Sequence, residues 1–118
     1  MKKVLIIDDD KDFLYCLKAI LKHKGYDTEV IEDGTQARKV TLNFGPDVIV
    51  LDVHLDVVDG RDVCRALKAN EQTKSIPIIM ISANNEKKEI LEKCTPEVFM
   101  NKPINLISLY RQLETLTA

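Results

Sequence analysis

Short apolar segments alternate with longer amphipathic segments along the whole chain. The apolar segments carry hydrophobic residues at nearly every position, as expected of strands that are buried on both faces of a sheet. Between them, hydrophobic residues recur at helical spacing, as in Phe13, Leu14, Leu17, Ile20 and Leu21. Strands that alternate with helices favour a parallel sheet covered on both faces. The pattern and the length of 118 residues predict one α/β domain over residues 1–118.

Five segments of the sequence are predicted to be strands. They are KVLII from Lys3, TEVI from Thr28, DVIVL from Asp47, PIIMI from Pro77 and EVFM from Glu97. The DVIVL segment is the most apolar, so we expect it at the centre of the sheet. Pro96 precedes the EVFM segment, which is typical of an edge strand because proline cannot donate a ladder hydrogen bond.

Capping residues mark where the helices begin and end. Asp10 is suited to cap a helix over residues 11–24, and Gly25 stands where a left-handed residue would end it. The turn at Asp33-Gly34-Thr35 leads into a second helix that stops before Gly45-Pro46. Three more helices are predicted, over residues 61–69, over residues 84–93 and after a cap at Asn105.

Composition and charge narrow the class of protein. With 45% hydrophobic and 31% charged residues, the chain has the balance of a soluble globular domain. Its apolar runs fall far short of the ~20 residues that a membrane helix needs, and Asp8 interrupts the first run too early for a signal peptide. We therefore expect a cytoplasmic protein with no membrane partner. Nucleic-acid binding requires a basic surface, which the net charge of −2 does not indicate. We therefore expect no nucleic-acid binding by this chain.

Cysteine and histidine spacing offers no transition-metal or disulfide framework. Cys16, Cys64 and Cys94 form no CxxC pair, and buried reduced thiols are the expectation. His23 and His54 lie far apart and have no partner at metal-ligand spacing.

Four of the apolar runs end on polar residues that suit phosphate chemistry. Asp8 and Asp9 follow the first strand, Asp52 the third, Ser82 the fourth, and Lys102 stands just past the fifth. Ligands of an open parallel sheet bind at the carboxyl ends of its strands, so we expect these side chains to converge. One such aspartate alone would be an ordinary loop residue. Clustered carboxylates repel one another without a cation, so the set predicts a divalent metal beside a bound anion, as in a phosphorylation site.

These motifs resemble those of the receiver domain of two-component response regulators, over essentially the full length of the chain. The matching motifs are IIDDD, DVIVLD, Asp59-Gly60, Ser82-Ala83 and Lys102-Pro103. The resemblance implies a flavodoxin-like, five-stranded parallel sheet of order 2-1-3-4-5 flanked by five helices. It also implies phosphoryl transfer from a sensor histidine kinase, or a histidine phosphotransfer protein, to Asp52. The family is a signalling domain that promotes only its own phosphorylation and dephosphorylation, and is not otherwise an enzyme.

The resemblance and the residue types together assign the metal-binding residues. Asp9 and Asp52 are predicted to bind Mg²⁺ (or Mn²⁺) directly, with the backbone carbonyl of His54 as a third ligand, since magnesium prefers oxygen ligands and keeps several waters. Asp8 is predicted to hold a metal-bound water. Asp10 is left out of the site because its capping role explains it.

The phosphate-binding and switching residues are assigned in the same way. Lys102 is expected to neutralise one phosphoryl oxygen, and Ser82 to bind another together with the backbone N–H of Ala83. In the family, the Ser82 position moves toward the phosphoryl group and an aromatic residue on the fifth strand turns inward. Phe99 holds that position here, and an ordinary core phenylalanine that never moves is the alternative. The surface of the fourth helix, fifth strand and last helix would then change. An unknown downstream protein or a fused output domain would recognise this change.

Three features depart from the common pattern of the family. Asp56 stands where a proline is frequent, and the segment between Ser82 and Lys102 is about two residues shorter than usual, which puts a standard dimerisation mode in doubt. His54 lies two residues past Asp52, where its imidazole would orient the water that hydrolyses the acyl phosphate, or pair with phosphate when protonated. A solvent-exposed histidine without that role is the alternative.

Three other classes of protein share part of the pattern. A pseudo-receiver that acts as an interaction module without phosphorylation is the main alternative, although such domains usually lose acidic or acceptor residues that this chain keeps. A haloacid-dehalogenase-type phosphatase would need an aspartate at the place of His54. A flavodoxin-like flavin binder would need a phosphate loop where Asp8, Asp9 and Asp10 stand.

Overall fold

Five parallel strands form one sheet in a computed structural model that describes residues 1–83 and 87–118. The strands are β1 (Lys3–Ile7), β2 (Asp27–Ile31), β3 (Val48–Asp52), β4 (Ile78–Ser82) and β5 (Val98–Asn101). The sheet order is β2-β1-β3-β4-β5, with β3 central and β5 at an edge as expected. The fold class and the strand order are therefore confirmed.

The helices lie close to their predicted positions. They are α1 (Lys11–His23), α2 (Ala37–Phe44), α3 (Gly60–Ala69), α4 (Lys87–Lys93) and α5 (Leu106–Leu116), and a short 3₁₀ turn (Gly34–Gln36) leads into α2. The predicted start of the fourth helix at Asn84 lies outside the described residues. Within residues 1–83 and 87–118, no helix has the length and apolar character to span a membrane.

The predicted caps fix the helix ends. The Asp10 carboxylate accepts hydrogen bonds from the backbone N–H groups of Asp12 and Phe13 at 3.0 and 3.2 Å. Asn105 accepts from the backbone N–H of Ser108 at 3.0 Å. Gly45 ends α2 at φ 66°, a left-handed conformation that costs glycine little. These contacts confirm the capping interpretation of Asp10.

Both faces of the sheet are covered by separate apolar clusters. Alternate residues of a strand point to opposite faces, so Leu5 and Ile7 pack in one cluster, and Val4 and Ile6 pack in the other. The first cluster includes residues of α2, α3 and α4, and the second includes residues of α1 and α5. Every residue of β3 and β4 is buried, which explains their nearly continuous apolar sequences.

Strand register brings the chemical residues to one edge. Ile7 pairs with Leu51, Asp52 pairs with Ile81, and Ser82 pairs with Asn101. Each strand therefore ends within about one residue of its neighbour. The polar residues that follow the strands are consequently delivered side by side.

The cysteines do not behave alike. Cys64 on α3 and Cys94 just past α4 are buried, whereas Cys16 lies on the exposed face of α1. The expectation of buried thiols was therefore wrong for Cys16, because its helical position faces away from the core. Burial, and then the contact with the Cys94 thiol, raise the pKa of Cys64 well above its ordinary value. All three cysteines are free.

Gly60 is required by a close backbone approach at the start of α3. A Cβ atom there would collide with the backbone carbonyl oxygen of Asp52 and lie 2.8 Å from the Cα of Val53. We expect Gly60→Ala to lower the free energy of unfolding by about 2 kcal/mol or more, because backbone atoms cannot give way as side chains do. Urea denaturation followed by circular dichroism measures this change.

Gly34→Ala is the matched control for this prediction. Its Cβ would lie 2.7 Å from methyl groups of Leu55 and Val58, which are side chains able to shift. We therefore expect a smaller loss of stability at Gly34 than at Gly60. Equal losses at the two positions would contradict the explanation by backbone collision.

Candidate functional site

The carboxyl edge of the sheet gathers the residues predicted from the strand ends. Asp8 follows β1, Asp52 ends β3, Ser82 ends β4 and Lys102 follows β5. The backbone N–H of Lys102 donates to the carbonyl of Ser82 at 2.8 Å, which ties the last two elements together. Asp8, Asp52 and Ser82 are buried, while Lys102 is partly exposed. The sequence prediction that these residues converge is therefore met by the fold.

Three carboxylates lie close enough to share one cation. Asp8, Asp9 and Asp52 each offer an oxygen, and these oxygens all lie within 4.8 Å of one another. Two of the three residues are buried, where repulsion between charges is poorly screened. Hard divalent cations such as Mg²⁺ and Mn²⁺ prefer oxygen ligands. The donor set therefore fits a magnesium or manganese ion.

The Lys102 ammonium places a positive charge beside the carboxylates of Asp8 and Asp52. Its Nζ lies 2.9 Å from Asp8 Oδ2 and 3.3 Å from Asp52 Oδ2. The same ammonium lies 4.5 Å from the ring centroid of Phe13 on α1. The Lys102 ammonium thus lies between the carboxylates of Asp8 and Asp52 and the face of the Phe13 ring.

The electrostatics of Asp8 reflect its burial. Desolvation raises the pKa of Asp8 to about 6, and the charge of Asp52 acts in the same direction. Hydrogen bonds from Lys102 and from the backbone N–H of Asp10, at 2.9 and 3.0 Å, oppose that rise. For Lys102, burial lowers the pKa, but the contacts with Asp8 and Asp52 outweigh it and raise the pKa above its ordinary value.

The loop after β3 orients the Asp52 carboxylate. The backbone N–H of His54 donates to Asp52 Oδ1 at 3.3 Å, while Lys102 contacts the other oxygen. The loop closes where Gly60 N–H donates to the carbonyl of Val53 at 2.8 Å. The His54 side chain is exposed. The roles of its carbonyl and imidazole stay predictions.

Asp59 secures the far end of that loop. Its carboxylate accepts from the backbone N–H of Arg61 at 2.8 Å and pairs with the Arg61 guanidinium at 2.6 Å. The hydrogen bond from the Arg61 side chain, which outweighs partial burial, lowers the pKa of Asp59. Asp59 therefore caps the N-terminus of α3.

Asp56, which stands where a proline is frequent in the family, lies beside the acidic cluster. Its carboxyl group is in hydrogen-bonding contact with that of Asp9, and this contact, followed by the charge of Asp9, raises the pKa of Asp56. Asp56 itself is exposed in the loop after β3. The contact with Asp9 depends on how the loop folds back, so sequence spacing did not reveal it.

Ser82, Ala83 and Phe99 lie where the sequence placed them along the elements. Ser82 is fully buried at the end of β4 and Ala83 is exposed directly after it. Phe99 on β5 is half-buried and packs against the cluster that includes residues of α3 and α4. Their roles in phosphate binding and switching stay predictions.

Phe13 is the site neighbour that the sequence reasoning missed. Its helical spacing with Leu14 and Leu17 indicated only a core residue, and it does pack against their cluster. Nothing in the local sequence signals that its ring also meets Lys102, which is 89 residues away by their numbering. Only the packing of α1 beside the segment that follows β5 brings the two together.

The fold and the residues at the carboxyl edge of the sheet together define a class of protein. An open parallel sheet carries clustered carboxylates, a buried hydroxyl and an ammonium at its carboxyl ends, as in doubly wound domains that handle phosphate. A family model described as "Response regulator receiver domain" matches residues 4–114. The chain belongs to this family, the receiver domains of two-component response regulators.

Individual relatives agree with the family assignment. The DNA-binding response regulator MtrA of Mycolicibacterium paratuberculosis is 34% identical over 115 residues, which cover 93% of this chain and 50% of MtrA. The chain thus spans about half the length of the curated relatives it matches.

Solved receiver domains share the fold. The signal receiver domain of a histidine kinase from Syntrophus aciditrophicus has a TM-score of 0.90 at 28% identity, covering 99% of this chain and 90% of that one. The receiver domain of sensor histidine kinase PA1611 from Pseudomonas aeruginosa has a TM-score of 0.89 at 27% identity, covering 98% and 97%. The latter was solved with a magnesium ion coordinated in its active site cleft.

The raised pKa of Asp8 predicts a pH dependence of stability without metal. The folded protein binds this proton more tightly than the unfolded chain, so the stabilising contribution is complete below about pH 4 and is lost as the pH rises through about 6. We expect Asp8→Asn to remove this decline, which amounts to on the order of 2 kcal/mol. Urea unfolding in EDTA between pH 4 and 7 measures it.

Asp12→Asn is the control, because Asp12 is exposed on the first turn of α1. This variant should keep the pH dependence of the wild type. If Asp8→Asn showed the same decline as the wild type, the burial of the Asp8 charge would not be its cause.

Proposed function

We propose that this domain accepts a phosphoryl group on Asp52 from the phosphohistidine of a sensor histidine kinase or a histidine phosphotransfer protein. The observation that carries the proposal is the contact of the Lys102 ammonium with Asp52 Oδ2 at 3.3 Å, beside the Asp8 and Asp9 carboxylates. This arrangement sets a nucleophilic carboxylate next to a cation that compensates the charge of an incoming phosphoryl group.

Transfer needs little covalent chemistry from the protein. An Asp52 oxygen forms a bond to phosphorus as the bond between phosphorus and the donor histidine nitrogen breaks, and the histidine leaves. The His54 backbone N–H holds Asp52 Oδ1, which fixes the orientation of the carboxylate. Lys102 then pairs with a phosphoryl oxygen as the negative charge shifts outward.

A magnesium or manganese ion is the cofactor we propose. Asp9 and Asp52 would bind it directly together with the His54 carbonyl, and Asp8 would hold a metal-bound water. When bound, the ion neutralises charge on the phosphoryl oxygens. The close carboxylate oxygens support this assignment, and so does the magnesium in the receiver domain of PA1611.

Ser82 and the Ala83 backbone N–H would bind further phosphoryl oxygens. We infer that Ser82 then moves toward the phosphate, that Phe99 fills the space, and that the surface of α4, β5 and α5 changes. Such a local electrostatic event with a surface readout would signal to a downstream protein or a fused output domain. The domain would thus act in signalling and promote only its own phosphorylation and dephosphorylation.

We propose that this domain does not itself bind nucleic acid. MtrA is a DNA-binding regulator, but this chain matches only half of its length. The net charge of −2 gives little attraction for phosphate backbones. We also propose a single domain over residues 1–118 that works in the cytoplasm, where its kinase partners would present phosphohistidine.

Phosphorylation of Asp52 is testable with a small-molecule donor. Incubation with acetyl phosphate and Mg²⁺ should add the mass of one phosphoryl group as an acid-stable, base-labile adduct, detected by intact-protein mass spectrometry. Asp52→Asn should lose the adduct because an amide oxygen is a poor nucleophile. Asp47→Asn, at an exposed position directly before β3, should keep it.

The same assay separates the alternatives. A wild-type protein that takes neither phosphoryl nor beryllofluoride would favour the pseudo-receiver that acts as an interaction module. An adduct retained by Asp52→Asn would place the acceptor elsewhere.

His54 is proposed to tune the lifetime of the acyl phosphate. Its side chain is exposed two residues past Asp52, so a neutral imidazole would orient water and a protonated one would pair with phosphate. We expect His54→Ala to lengthen the lifetime at about pH 8 and to shift its pH profile. Decay of the labelled phosphoprotein between about pH 6 and pH 8 measures it, and equal lifetimes throughout would rule out this role.

A further inference from the structure

We propose that Phe13 is a positioning residue that holds the Lys102 ammonium in the site by a cation–π contact. The Lys102 Nζ lies 4.5 Å from the centroid of the Phe13 ring, inside the ~6 Å at which a cation is attracted to an aromatic face. The inference rests on the proposed function, because Lys102 is the residue expected to meet the phosphoryl group.

The ring is fixed from behind by its own helix and its apolar neighbours. The Asp10 carboxylate accepts the backbone N–H of Phe13 at 3.2 Å, which fixes the first turn of α1. The Phe13 side chain is half-buried against the cluster that contains Leu14 and Leu17. It also borders an apolar groove with Ile104 on the segment that follows Lys102. A ring held in this way presents a defined face to the ammonium.

The aromatic partner differs in kind from the carboxylates that contact Lys102. Asp52 would lose the charge of its free carboxylate on forming an acyl phosphate, and a cation bound among the carboxylates would compete with the Lys102 ammonium for Asp8. The Phe13 ring is neutral, so its attraction for the ammonium persists through these changes. It therefore keeps the four-carbon side chain of Lys102, which is 22% exposed, from turning out to solvent.

Hydrophobic packing alone would not require an aromatic ring at this position. Leucine would fill much of the same space against Leu14 and Leu17, but it has no π-face to attract the ammonium. Tyrosine keeps the face. The pair Phe13→Leu and Phe13→Tyr therefore separates positioning of Lys102 from packing of the core.

The first measurement uses the resting protein without metal or phosphate. An aromatic face above the Lys102 ammonium shifts the NMR resonances of the adjacent Lys102 methylene protons upfield through the ring current. We expect Phe13→Leu to move these resonances to the values of an exposed lysine, and Phe13→Tyr to keep them near those of the wild type. This readout does not depend on phosphorylation.

The second measurement is the dissociation constant for beryllofluoride in saturating Mg²⁺. We expect Phe13→Leu to weaken binding between about two- and tenfold, and Phe13→Tyr to restore it. Phe44→Leu is the matched control, because Phe44 is also half-buried and its ring lies 5.3 Å from the ammonium of Lys3, at the other end of the sheet. This control should leave both the Lys102 resonances and the beryllofluoride affinity unchanged.

Two results would overturn the proposal. One is an unchanged Lys102 resonance in Phe13→Leu, and the other is a loss of beryllofluoride affinity in Phe13→Tyr equal to that in Phe13→Leu. If the wild type did not bind beryllofluoride at all, the proposed function would fail. The Lys102 resonances would then decide the positioning role by themselves.

Discussion

Repulsion among three clustered carboxylates is the constraint on which this structure depends. Asp8, Asp9 and Asp52 converge at one edge of the sheet, and the first and last of them are buried. Such a cluster is costly unless positive charge compensates it. Lys102 supplies part of that charge through its contacts with Asp8 and Asp52. The remaining negative charge fits a divalent cation, and we propose that a phosphoryl group binds beside it.

The sheet holds the three carboxylates at fixed positions despite their mutual repulsion. Parallel strands in register end side by side, so Asp52 at the end of β3 lies next to Asp8 and Asp9, which directly follow β1. The collision that a Cβ on Gly60 would make with the Asp52 carbonyl shows how closely the start of α3 approaches the end of β3. The clustered charge lowers stability at this edge, which is the expected cost if the proposed phosphoryl transfer takes place there.

Much of the site was readable from the sequence because strand ends are local features. An apolar run that stops on an aspartate, serine or lysine predicts a polar side chain at the end of a strand. The alternation of strands and helices predicts that these strand ends lie at the same edge of the sheet. The environment of each residue was not readable in this way. The raised pKa of Asp8 comes from burial among elements distant in sequence, and the contact of Asp56 with Asp9 comes from the path of a loop.

The sequence by itself determined the elements, the strand order expected of the family, and the identity of the residues at the carboxyl edge. It did so because hydrophobic periodicity and capping are short-range signals. Only the tertiary structure decided which groups touch. Phe13 looked like one more core residue, yet its ring meets Lys102 because α1 packs beside the segment that follows β5. Contacts between distant segments depend on packing geometry, which no local pattern of residues encodes.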